Sequence, residues 1–118
     1  MQVEDQDTFD RLMSQIAQRA KTMPEGSYTT KLISGGIEKM GAKILEEAEE
    51  VVDAARNSEA PDNKHLIYEA GDLIYHLWVL PGSRGIGLAA VRNDLARREG
   101  VSGLEKKNNR GNKTDNPK

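Results

Sequence analysis

The chain has 118 residues, a formal net charge of −2, and 31% charged residues of nearly balanced sign. That length is one domain, and the charge balance offers no basic field for nucleic acid. Aromatic residues make up 4%, which argues against base-stacking platforms, and cysteine is missing, which excludes disulfides, thiol catalysis and thiolate metal sites.

No apolar run approaches the ~20 residues that span a bilayer. Residues 1–7 are acidic and polar, without the basic and apolar regions of a secretory signal. The expectation is a soluble cytoplasmic protein that binds neither membrane nor nucleic acid. A hydrophobic fraction of 36% is low for a monomer of this size, so a partner is expected to complete the core.

From Thr8 to Met23, Phe9, Leu12, Met13, Ile16, Ala17 and Ala20 recur at three-four spacing, which predicts an amphipathic helix. Asp7 or Thr8 is placed to cap its start, and Pro24-Glu25-Gly26 to end it. Ser27 is the next N-cap candidate. With Thr29 and Lys31 it forms a hydroxyl-rich helix start beside a cation, a pattern suited either to simple capping or to meeting a phosphate. The helical pattern then runs from Lys31 to about Asn57, with a break or bend expected at Gly35-Gly36. Ile37, Met40, Ile44, Ala48, Val51 and Ala55 define its expected buried face. Glu47 and Glu50 lie on one flank of that face and Glu46 further round on the same side. Glu49 and Asp53 read as solvated surface residues.

Residues 57–63 are a loop by composition. The following helix is expected to start near Pro61 or Asp62, with Leu66, Ala70, Leu73 and Leu77 as its buried centre and Ile67 and Ile74 beside them. Glu69, Asp72 and His76 share one flank. Pro81 removes a backbone donor and clashes with the preceding turn, so this helix is expected to end or kink at about Leu80. A last helix is predicted from about Gly87 to Glu99, stopped by Gly100. The expected architecture is therefore all-α: a four- to five-helix bundle-type subunit over residues 1–104, completed by homodimerisation. Residues 105–118 contain no large apolar side chain and are expected to form a disordered tail.

The chemistry concentrates between Gly41 and His76. Residues three or four apart share a helix face, so Glu46, Glu47 and Glu50 on one helix and Glu69 and Asp72 on the next can present carboxylates to each other. Acidic groups that interrupt the apolar run from Leu66 to Leu80 are costly unless paired or metal-bound. Such an all-oxygen cluster suits a hard divalent cation, most naturally Mg²⁺. Pairing with Lys or Arg of another helix is the plainer alternative. His76, one turn beyond Asp72, reads as a hydrogen-bonding packer rather than a ligand.

These residues carry a resemblance. Glu46-Glu47-Ala48-Glu49-Glu50 followed by Glu69-Ala70-Gly71-Asp72 is similar to the E-E-x-x-E and E-x-x-D mark of the all-α nucleoside triphosphate pyrophosphohydrolases, the MazG-like superfamily. Ser27-Tyr28-Thr29 with Lys31-Leu32, Asp72-Leu73-Ile74-Tyr75-His76-Leu77 and Ser102-Gly103-Leu104-Glu105-Lys106-Lys107 narrow it. Over about Thr8 to Arg110 the chain resembles the phosphoribosyl-ATP pyrophosphatase family of histidine biosynthesis. It departs at Pro81-Gly82, where that family usually has apolar or small residues, and at Leu45, where glycine is frequent.

The resemblance implies Mg²⁺-dependent hydrolysis of 1-(5-phosphoribosyl)-ATP to 1-(5-phosphoribosyl)-AMP and pyrophosphate by a homodimer, with phosphoribosyl-AMP cyclohydrolase as functional neighbour. Metal is assigned to Glu47, Glu50, Glu69 and Asp72, and Glu46, at the cluster's edge, is assigned either to the metal or to orienting the attacking water. Glu46 and Glu47 are the candidate general bases. Ser27, Thr29, Lys31, Lys106, Lys107 and Arg110 are the candidate phosphate contacts. Two other readings stand beside this one: a housecleaning (d)NTP pyrophosphohydrolase of the same superfamily, and a non-enzymatic helical dimer whose acidic flanks are only solvated.

Overall fold

The computed structural model describes residues 7–57 and 63–100. Within them the chain is all-helical: α1 (Thr8–Thr22), α2 (Tyr28–Ser34), α3 (Gly36–Asn57), α4 (Lys64–Ser83) and α5 (Leu88–Arg98). It divides into two compact units, Met1–Leu88, which holds α1 to α4, and Ala89–Lys118, which holds nearly all of α5. In the first unit α4 packs against α1, α2 and α3. Met13 and Ile16 of α1, Leu32 of α2, Met40 of α3 and Val79 of α4 make its core.

Local sequence explains most of the boundaries. The Asp7 carboxylate accepts from the Asp10 N–H at 2.9 Å, and the Ser27 hydroxyl from the Thr30 N–H at 3.2 Å. Each such cap contributes about 1 kcal/mol. Helix α1 ends at Met23, which takes the left-handed conformation at φ 47° and donates its N–H to Arg19 O. Gly36, at φ +76°, separates α2 from α3, so the expected bend at Gly35-Gly36 is a full break. In α5, whose residues include none that is buried, the stop is Gly100 at φ +88°. The expected start of α4 at Pro61 or Asp62 lies outside the described residues; the helix is seen from Lys64, after Asn63 at φ 55°.

Three expectations are corrected. First, α4 does not end at Leu80 but runs through Pro81 to Ser83. A proline in the last turn removes a single donor, and its own carbonyl still accepts from the N–H groups of Arg84 and Ile86, both at 3.0 Å. Second, the buried face of α3 is centred on Met40, Glu47 and Ala54 rather than on Ile44 and Ala48, and Ile37 is 54% exposed. Third, α4 turns Glu69, His76, Val79 and Gly82 inward, while the expected centre is only half covered and Leu77 is 42% exposed. The same cause underlies the last two. Helices α1 and α2 cover one side of the α3–α4 pair, and the apolar flanks on the other side, with Leu45, Val52, Ile67 and Leu77, stay open.

Gly82 explains the unusual Pro-Gly pair. A Cβ built there would lie 2.7 Å from Ile16 Cγ2 and 3.9 Å from Met13 Cε. Ile16 is 1% exposed and has little room to yield. Gly82→Ala is therefore expected to destabilise the fold by about 1–3 kcal/mol through overpacking at the α1–α4 contact. An unchanged urea midpoint would show that Ile16 repacks freely and that the close approach is not required.

Candidate metal centre

Helices α3 and α4 lie side by side and bring the two acidic segments together. Glu46, Glu47 and Glu50 each offer an oxygen within 4.8 Å of the others, and Glu47, Asp72 and His76 form a second such group. Glu47 belongs to both and is only 5% exposed. The charge of Glu69 also acts on Glu50, which sets the fifth carboxylate beside the cluster. The like charge of Glu47 is the main cause that holds the Glu50 carboxyl above its ordinary value; burial and the charges of Glu69 and Glu46 add to it. Glu49 and Asp53 point to solvent, and Asp53 pairs with Arg56 at 3.2 Å.

Glu47 Oε1 and Glu69 Oε1 are buried and have no hydrogen-bond partner. A buried anionic oxygen without a partner carries its whole desolvation cost. Two of them in one cluster, among further carboxylates and without thiolate, form a donor set that fits a hard, oxygen-seeking divalent ion.

His76 is 6% exposed and hydrogen-bonded on both ring nitrogens. Its Nδ1 lies 2.8 Å from the Asp72 carbonyl oxygen, which can only accept, so Nδ1 carries the hydrogen. In the neutral ring Nε2 then accepts from the Tyr28 hydroxyl at 3.0 Å. This is the packing role expected of His76, and it fixes the tautomer. One turn before Glu69, His65 places its Nε2 3.0 Å from Glu69 Oε2.

The three candidate phosphate contacts on α2 have different settings. The Ser27 hydroxyl caps α2. Thr29 is 3% exposed and hydrogen-bonds the Tyr75 hydroxyl at 2.6 Å. Lys31 is exposed. Tyr28 also stacks on Tyr75, ring centroids 6.2 Å apart. The Ser27-Tyr28-Thr29 and Tyr75-His76 segments are thus one hydrogen-bonded unit that sets α2 against α4 beside the acidic cluster. Lys106, Lys107 and Arg110 lie outside the described residues.

Periodicity and spacing assign no role to Lys43 or His65, and Tyr28 enters only as part of the Ser27-Tyr28-Thr29 resemblance. Lys43 Nζ lies 3.3 Å from Glu46 Oε2 and 3.7 Å from Glu47 Oε2. That contact was legible, since positions three and four apart on a helix meet. The pairing of Tyr28 with His76, 48 positions apart, had no local signal.

The comparisons agree with this geometry. The family profile described as Phosphoribosyl-ATP pyrophosphohydrolase matches residues 9–99. A protein of Rhodopirellula baltica named phosphoribosyl-ATP pyrophosphatase is 55% identical over 107 residues, covering 91% of this chain and 89% of that protein. One of the same name from Erythrobacter litoralis is 43% identical over 104 residues, covering 88% of this chain and 97% of its own length. The histidine biosynthesis bifunctional protein HisIE of Wolinella succinogenes is 42% identical over 101 residues, which cover 86% of this chain and 43% of that longer protein. With a helical acidic cluster, the matched profile and these relatives, the chain belongs to the phosphoribosyl-ATP pyrophosphohydrolase family.

Proposed function

We propose that the protein hydrolyses 1-(5-phosphoribosyl)-ATP to 1-(5-phosphoribosyl)-AMP and pyrophosphate with Mg²⁺, as a cytoplasmic homodimer. The observation that carries the reading is the pair of buried, unpartnered oxygens on Glu47 and Glu69, in a chain of this family. Glu47, Glu50, Glu69 and Asp72 would hold the metal. Bound there, Mg²⁺ supplies positive charge that neutralises the phosphates and stabilises the charge growing on the departing pyrophosphate.

The chain's own groups divide the remaining work. Water adds at one phosphorus of the α–β bridge, the bridging P–O bond breaks, and the proton of the water goes to a carboxylate. Glu46 and Glu47 are the candidates, and exposure favours Glu46: its side chain is 53% exposed against 7% for Glu47, so solvent reaches it. Lys31 and the Ser27 hydroxyl are proposed to meet phosphate oxygens at the α2 start, with Lys106, Lys107 and Arg110 contributing from the tail. Thr29 serves the same segment by tying it to Tyr75.

Homodimerisation is supported by the open apolar flanks of α3 and α4, where Leu45 is 72% and Ile67 65% exposed. Patches of this kind rarely stay uncovered. The bifunctional histidine-biosynthesis relative from Wolinella supports phosphoribosyl-AMP cyclohydrolase as functional neighbour.

The test is pyrophosphate release, with and without Mg²⁺, from phosphoribosyl-ATP set against ATP and a dNTP panel, on protein whose mass in solution is measured alongside. Fast, Mg²⁺-dependent release from phosphoribosyl-ATP alone, by a dimer, is the expected result. Release from the nucleotide panel instead would move the protein to the housecleaning branch. No release from any substrate would sink the enzymatic reading.

A further inference from the structure

Lys43, on the helix that carries Glu46, Glu47 and Glu50, places a positive charge against the acidic cluster. Its ammonium touches Glu46 Oε2 at 3.3 Å and Glu47 Oε2 at 3.7 Å, and its side chain is only 27% exposed. The other oxygen of Glu47 has no partner. Glu47 is thus divided, with one oxygen answered by a tethered cation and the other left open.

We propose that Lys43 is a built-in counter-ion that stands in for metal at the Glu46–Glu47 edge of the cluster and competes with a divalent ion for it. The inference rests on the metal reading of the site given above. A dication shared by these carboxylates must contend with the ammonium for the two Oε2 atoms, and at such separations it is repelled by whatever charge stays behind. In metal-free protein the same ammonium limits the repulsion among Glu46, Glu47 and Glu50, which are within 4.8 Å of one another. Glu46 and Glu47 lie three and four residues on from Lys43, so the turn of α3 itself holds the ammonium against both carboxylates. An ordinary helix-surface pair, such as Arg56 with Asp53 at 3.2 Å, has no unpartnered buried oxygen beside it.

The experiment is Mn²⁺ binding by calorimetry, with no nucleotide present, to the wild-type protein and to Lys43→Met, Lys43→Arg and Arg56→Met. Mn²⁺ takes the same oxygen ligands as Mg²⁺. Lys43→Met is expected to bind the ion about three- to tenfold more tightly, the size of one modest ion pair lost to competition. Lys43→Arg, which keeps the charge, and Arg56→Met, which removes a remote one, are expected to stay within about twofold of wild type. Wild-type binding with unchanged or weaker binding by Lys43→Met overturns the role of Lys43 and leaves the metal site standing. Absence of binding in all four proteins overturns the metal site and this inference together.

Discussion

Glu47→Gln is expected to move two readouts in opposite directions: divalent-ion binding weakens by roughly 100-fold or more, while the metal-free protein becomes no less stable and gains in melting temperature. Glu47 is buried, shared by both ligand groups, and holds an unpartnered oxygen. It is also the main cause that raises the Glu50 carboxyl. A carboxyl whose folded pKa lies above its unfolded value binds protons more readily in the native state. Its ionisation therefore costs stability as pH rises from the ordinary value near 4.5 through the raised one. That cost is fully present at neutral pH and absent below the ordinary value. The gain from Glu47→Gln should then be seen in EDTA at pH 7.5 and shrink towards pH 4.5. Thermal melts at both pH values, with Mn²⁺ titration at the upper one, check the claim. A variant that is less stable in EDTA at pH 7.5 would mean that Glu47 is a structural ion-pair partner of Lys43 and little else.

Asp72→Ala should lower Mg²⁺-dependent pyrophosphate release by roughly 1,000-fold while leaving the fold intact, since a metal-bound charge contributes several kcal/mol in such a transition state. The fold is expected to survive because the hydrogen bond that His76 Nδ1 makes goes to the Asp72 main-chain carbonyl, not to its carboxylate. The chain from Tyr28 through His76 to α4 is thus untouched by the substitution. Initial rates and a circular-dichroism melt on the same preparation separate the two effects. Activity above about a tenth of wild type would remove Asp72 from the metal set.

Much of the molecule was readable before any coordinates. The caps at Asp7 and Ser27 and the left-handed glycine at Gly36 are local events, decided within a few residues by which side chains can accept an N–H and which backbones tolerate positive φ. The acidic set was equally legible, because Glu46, Glu47 and Glu50, and Glu69 and Asp72, are related by the turn of a single helix. The reading erred where two helices had to be placed against each other. Periodicity puts Leu77 in the buried centre of α4 and Ile67 beside it, yet they are 42% and 65% exposed, whereas Glu69 and His76, on the flank of that stripe, face the interior.

Sequence by itself determined most of the helices and their caps, though not that α4 continues through Pro81, and the spacing of carboxylates that makes a metal site conceivable on α3 and α4. Only the tertiary structure decided which side of each helix is enclosed, that Gly82 is the point where α4 meets Ile16 of α1, and that Tyr28 completes His76 across 48 positions. The physical reason is that periodicity specifies angles around one helix axis, while burial depends on where neighbouring axes run. An apolar flank looks the same in sequence whether its cover is another helix of the same chain or a surface outside it.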